Sequence, residues 1–206
     1  MTIEGNIGSG KSTLLQNLAR ALPPESVVFI PEPVDEWLEH GLLQALYDGH
    51  LPAEVFQYAA LAGVTHKVHR ALQSVTSDTK LILAERSLFS NKEVFAKAVM
   101  PNVISRGAFD YTWSQALESL PALNFKHIYV RASPRICLRR VALRDRDSED
   151  TISIEYLQLL SDLHEDWFAR ELDLDTDAAN WLMLDGASPP AALMQDALRH
   201  LLHLML

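Results

Sequence analysis

Cysteine is almost missing: Cys137 stands alone in 206 residues, so no disulfide can form within the chain. A lone thiol fits a reducing compartment. Positive charge is also scarce, with 18 Lys+Arg against 27 Asp+Glu and a net charge of −9. A protein that coats nucleic acid or lies on an acidic membrane needs the opposite balance, so neither is an expected partner. No stretch reaches the ~18 consecutive apolar residues of a membrane-spanning helix. Only Met1-Thr2-Ile3-Glu4 precede the first motif, so no targeting peptide is expected. The expected location is therefore cytoplasmic, and the expected first strand is clipped. Repeats, low-complexity tracts and long linkers are lacking as well. What is there is ordinary globular composition, 48 % apolar and 22 % charged, at a length that suits one domain over residues 1–206.

Short apolar runs alternate with longer helical patterns, which predicts an α/β fold with a five-stranded parallel sheet. The expected strands are Thr2–Glu4, Ser26–Pro31, Lys80–Glu85, His127–Arg131 and Trp181–Asp185. Each is rich in Val, Ile or Leu, as strands covered on both faces are. Helices are expected over Lys11–Ala21, halted by Pro23-Pro24, and over Pro190–Leu206. A third covers Ala53–Ser74, with apolar residues at Val55, Ala59 and Ala62 and, less regularly, at Val64 and Val68. A fourth covers Glu155–Arg170, with Tyr156, Leu159, Leu160, Leu163 and Trp167 near helical spacing.

Residues 5–12 read GNIGSGKS and fit G-x-x-x-x-G-K-[ST], between an expected strand and an expected helix. In such a loop Gly5, Asn6, Ile7, Gly8, Ser9 and Gly10 turn successive N–H groups toward phosphate oxygens. Gly8 and Gly10 allow the tight turn. Lys11 reaches the β and γ phosphates, Ser12 can ligate Mg²⁺, and the helix through Thr13 adds its positive end. A bound nucleoside triphosphate is expected, but the loop leaves the acceptor open. A GTPase needs Asn-Lys-x-Asp to read guanine, and the nearest segment, Asn91-Lys92-Glu93-Val94, lacks the Asp. A chain of this size suits a small-molecule kinase.

The second strand runs into Pro31-Glu32-Pro33-Val34-Asp35-Glu36-Trp37. Ligands of open parallel sheets sit beyond the carboxyl ends of the strands. Glu32 there is either a base that takes a hydroxyl proton or one half of an ion pair, and position alone allows both. The third strand ends in Glu85-Arg86-Ser87, where the acid can hold Mg²⁺ and the guanidinium a substrate oxygen. Arg140, Arg144 and Arg146 lie near helical spacing in an acidic chain. They read as an Arg-rich lid at about 140–150 over a triphosphate, or as a solvated helix face.

Taken together the segments resemble the deoxynucleoside kinase family. The resemblance rests on IEGNIGSGKST (3–13), EPVDEW (32–37), LLQALY (42–47), FQ (56–57), ERSLFS (85–90), RASP (131–134), RDRDSE (144–149) and YLQLLSDLHEDWF (156–168). They stand in family order over most of the chain, and ERS is similar to the animal or viral branch. The resemblance implies the P-loop kinase fold and ATP-dependent phosphorylation of a deoxynucleoside 5′-hydroxyl, with Mg²⁺ as cofactor. It implies Glu32 as base, Arg86 holding the 5′-oxygen, and Glu85 with Ser12 placing Mg²⁺. Tyr47 and Glu149 would bind the 3′-hydroxyl, Tyr47 also crowding C2′. Gln57 would read the base edge and Phe95 would stack on it, with Trp37 and Phe56 closing the pocket. The flap arginines would surround the phosphates, and the loop Asp185–Pro190 would lie near the donor adenine. A homodimer packed through Ala53–Ser74 and Glu155–Arg170 is also implied, although both stripes could equally be core.

The chain departs from the family where S-x-R-Y-x-F becomes Ser90-Asn91-Lys92-Glu93-Val94-Phe95. Asn91 replaces the Asp of deoxycytidine and purine-tolerant members, and Val64 replaces an Arg of deoxycytidine kinase. With Ala60 and Val64 small, a 5-methyl group fits, so thymidine is expected first and deoxycytidine second. Gln57 can pair with either base by turning its amide. Two rivals share the fold: a nucleoside monophosphate kinase and a non-catalytic subunit. The second would be expected to lose Lys11 or Glu32, and both are present.

Overall fold

In a computed structural model the described residues are 1–144, 151–174 and 180–205. The chain runs β1 (Thr2–Glu4), α1 (Lys11–Ala21), β2 (Val27–Ile30), α2 (Val34–Glu39), α3 (Leu42–Tyr47), α4 (Ala53–Gln73) and β3 (Leu81–Glu85). It continues with α5 (Leu88–Ser90), a π-helical turn (Asn91–Ala96), α6 (Lys97–Val99), α7 (Val103–Glu118) and β4 (His127–Arg131). It closes with α8 (Pro134–Arg144), α9 (Ile154–Leu174), β5 (Trp181–Asp185) and α10 (Pro190–Met205). All strand pairs are parallel, in the order β2-β3-β1-β4-β5. The central β1 therefore delivers the phosphate loop to the middle of the carboxyl edge, where open sheets bind ligands.

Both faces of the sheet are covered. On one, Leu14, Leu15 and Leu18 of α1 and Leu193, Ala197 and Leu201 of α10 bury Ile3, Ile128 and Val130. On the other, α4 and α7 cover Ile30 and Ala84 with Leu61, Val64, Val68 and Phe109. Leu160 and Trp167 of α9 cover Tyr129 and Trp181. Burying a side chain of this size contributes about 1.5–3 kcal/mol.

The α4 stripe differs in part from expectation. The buried side of α4 is Phe56, Ala60, Leu61, Val64, Val68 and Ala71. Of the expected positions, Val64 and Val68 are on that side, whereas Val55 and Ala62 face outward, with Val55 51 % exposed. On α9, Leu160 and Trp167 of the expected stripe are buried in the protein's own core, one of the two readings left open, while Leu159 is exposed. Val103, Ile104 and Tyr111 of α7 are among the most exposed large apolar residues, together with Leu143 of α8.

One polar knot lies inside. Thr2 Oγ1 donates to Glu4 at 2.7 Å and lies 2.7 Å from His127 Nδ1. A hydroxyl has one proton, so His127 is the donor to Thr2 and carries its hydrogen on Nδ1. Burial holds His127 down to about 4, against the pull of Glu4. Burial and the Arg86 guanidinium hold His164 of α9 down to about 3. No described helix is long and apolar enough to cross a membrane.

Candidate active site

The phosphate loop is built by close approach. Gly10 adopts φ 108° to start α1. Gly8 sits at φ +76°, and a Cβ there would lie 2.6 Å from the Cys137 carbonyl of α8. A side chain at Gly8 would therefore push α8 off the loop. Arg140 ties the same helix down, donating from Nη1 to the Ser9 carbonyl at 3.0 Å. Lys11 is buried and donates to the Asn6 carbonyl at 2.8 Å. Burial, reinforced by Arg86, lowers its ammonium to about 8, against Glu85 and Glu32.

Ser12 donates to Glu85 Oε1 at 2.6 Å. Two hard oxygens side by side at a phosphate loop suit Mg²⁺, which takes few protein ligands and completes its shell with phosphates and water. Among the described residues no group of three or more His, Cys, Asp or Glu gathers as a separate metal site.

Arg86 is the junction of the site. It holds φ 64°, which is uncommon for a non-glycine residue. Four contacts fix it there. Its N–H donates to the Ile3 carbonyl at 3.0 Å and Nη1 to the Gly5 carbonyl at 2.9 Å. Nε donates to Glu32 at 2.8 Å, and the guanidinium lies 4.5 Å from the Phe95 ring centroid. Glu32 thus stands as an ion-pair partner, and a base role is compatible with that pairing. The next residues explain the serines of ERSLFS. Ser87 accepts from the N–H of Phe89 and Ser90, and Ser90 Oγ accepts from the Ser87 N–H. This reciprocal cap turns the chain into α5. The π-helical turn follows and brings Asn91 and Phe95 to one wall. π-turns are rare and recur at functional sites.

A cavity of about 820 Å³ joins these parts. Its phosphate end carries Ile7 to Thr13 together with Arg140 and Arg144. Its other end carries Trp37, Tyr47, Phe56, Gln57, Ala60 and Val64, with Asn91 and Phe95. Glu32, Glu85 and Arg86 line it as well. Trp37 and Phe56 meet edge to face at 5.2 Å. Asn91 donates to Gln57 Oε1 at 2.9 Å, while its own Oδ1 is buried without a partner. Gly5 and Asn6, the first two residues of the loop, do not line the cavity. Arg146 and Glu149 lie outside the described residues. Ser188 and Pro190, from the loop expected near the donor base, do line the cavity.

Sequence reasoning missed several wall residues: Ile152 and Tyr156 at the start of α9, Leu143 of α8 and Val99 of α6. In the sequence Tyr156 reads only as part of a helical stripe. Burial pushes its phenol up and Arg86 pulls it down, which places it close to the junction.

Comparison with known proteins agrees with this architecture. The sequence profile described as Deoxynucleoside kinase matches residues 1–196. A probable deoxycytidine kinase of Fowlpox virus (strain NVSL) is 34 % identical over 178 residues, covering 82 % of this chain and 71 % of that protein. A deoxycytidine kinase of Rattus norvegicus is 31 % identical, covering 81 % and 74 %. A thymidine kinase of Ictalurid herpesvirus 1 (strain Auburn) is 28 % identical, covering 84 % and 75 %. With a phosphate loop on the central strand, an all-parallel five-stranded sheet and a profile match over nearly its whole length, this chain belongs to the deoxynucleoside kinase family of phosphotransferases.

Proposed function

We propose that the protein transfers the γ-phosphoryl of ATP to the 5′-hydroxyl of a pyrimidine deoxynucleoside, thymidine first and deoxycytidine second. One observation carries this reading. The Glu32–Arg86 pair lies where the phosphate loop meets the aromatic wall of the same cavity. A nucleoside with its base between Gln57 and Phe95 presents its primary alcohol to that pair. Glu32 takes the hydroxyl proton, and Arg86 holds the 5′-oxygen. Lys11, Arg140, Arg144 and Arg146 meet the phosphate charge. Positioning and electrostatics supply most of the rate, as in other phosphoryl transfers. Ser12 and Glu85 hold Mg²⁺, which neutralises phosphate charge when bound. Tyr47 and Glu149 hold the 3′-hydroxyl, and Trp37 and Phe56 close over the base.

Base choice rests on the Gln57–Asn91 pair. An asparagine amide can donate or accept, so it supports Gln57 in either orientation. That suits thymine, with O4 beside N3–H, and cytosine, with N3 beside N4–H₂. Ala60 and Val64 leave space for the 5-methyl group. The proposed assembly is a homodimer. Val103, Ile104 and Tyr111 of α7 and Val55 of α4 form its face, since these two helices pack together through Tyr58 and Phe109.

Glu32→Gln tests the base role. Turnover should fall about 10²–10⁴-fold while the thymidine KM stays near wild type. Wild-type turnover in the Glu32→Gln enzyme would leave Glu32 a structural partner of Arg86.

A further inference from the structure

Asn6 occupies a variable position of the phosphate-loop motif, where nothing in phosphate binding demands an amide. Its side chain is 3 % exposed and does not line the cavity. It is nevertheless the most connected residue of the loop. Its Oδ1 accepts from the Ile7 N–H at 2.8 Å, and its Nδ2 donates to the Leu157 carbonyl at 2.8 Å. Its own carbonyl accepts from Lys11 Nζ at 2.8 Å and from the Ser9 N–H at 3.2 Å. Leu157 lies inside α9, where a carbonyl has the N–H four residues on as partner, so no orphaned group calls for this bond. Its neighbours, Ile152 just before the helix and Tyr156 within it, are cavity wall. One buried residue thus links the two ends of the site: its carbonyl holds the lysine that meets the phosphates, and its amide holds the helix that shapes the nucleoside end.

We propose that Asn6 is a positioning residue that couples occupancy of the phosphate loop to the placement of the α9 wall, so that donor and nucleoside bind cooperatively. A phosphate that draws the Lys11 ammonium toward itself changes the load on the Asn6 carbonyl, and the Asn6 amide passes the shift to Leu157. The inference rests on the reading of the ligands given above. Linkage makes the effect reciprocal: ADP strengthens thymidine binding by the factor by which thymidine strengthens ADP binding.

Calorimetric titration of thymidine into the full chain, with and without saturating Mg·ADP, measures that factor. Wild type should bind thymidine at least about fivefold tighter with ADP present. Asn6→Asp keeps the acceptor for Ile7 but cannot donate to Leu157, and Asn6→Ala removes both bonds. Whatever its affinity for either ligand alone, each should show a factor within twofold of unity. Backbone hydrogen exchange gives a second readout: Mg·ADP should slow exchange over 154–161 in wild type and not in the variants. Wild-type coupling and exchange in both variants, or no coupling in wild type, would overturn the proposal. Should both variants unfold, the wild-type exchange decides alone: slowing of 154–161 by ADP supports the link, and its absence overturns it. Should wild type bind ADP and no nucleoside, the acceptor reading fails, while the exchange comparison still judges Asn6.

Discussion

The Lys11 ammonium is buried beside Arg86, and both influences oppose its charge, bringing it to about 8. Only the protonated form attracts phosphate. As pH rises through 8 the free enzyme loses that proton and with it donor affinity. The kcat/KM for ATP should therefore fall on the alkaline side with an apparent pKa near 8 in a pH–rate profile. A profile flat to pH about 9.5 would remove Lys11 from the free enzyme's titration. Residues with a fixed motif spacing, such as Gly10, Lys11 and Ser12, were legible because phosphate geometry dictates type and position together. Asn6 and Tyr156 were not. Asn6 stands at a position the motif leaves free, and Tyr156 falls on a stripe whose spacing also describes core.

At the scale of elements, strands read almost to the residue because short Val/Ile/Leu runs between turn signals have few alternatives. Ser26, Pro31 and Lys80 fell off their ends. Ser26 gives only its carbonyl, to Lys80 and Leu81, and proline has no N–H to offer a ladder. The π-helical turn was invisible, since its register is neither helical nor extended. α7 was missed because it carries apolar residues on both faces, Phe109 buried and Val103, Ile104 and Tyr111 exposed. β4 and α9 also carry a pH-dependent contribution to stability. His127 and His164 stay neutral in the fold down to about 4 and about 3. Unfolded, they take up protons from pH ~6.5 downward. The unfolded state gains protons over that window, so stability falls as pH drops from ~6.5 toward 4. The melting temperature should decline across this range, and His164→Phe should flatten part of the slope. An identical slope in the variant would mean that carboxylates alone set it.

For the whole molecule, the parallel sheet and the family were legible, while the outward face was not. Helical periodicity identifies a stripe but not which side of the chain covers it, so Leu160 and Trp167 of the α9 stripe proved to be core while Val103, Ile104 and Tyr111 of α7 stand exposed. Sedimentation should find two copies per particle, and Ile104→Glu with Tyr111→Glu should give one. A wild-type monomer would leave those side chains exposed for another reason.

The central claim is that a nucleoside's primary alcohol meets a triphosphate at the Glu32–Arg86 junction. The most direct measurement incubates the protein with Mg·ATP and, in parallel, thymidine, deoxycytidine, deoxyadenosine, deoxyguanosine, uridine and thymidine 5′-monophosphate, and identifies the products. The expected result is 5′-monophosphates of thymidine and then deoxycytidine, with thymidine 5′-monophosphate left unchanged. Phosphorylation of the monophosphate and of no nucleoside would contradict the account.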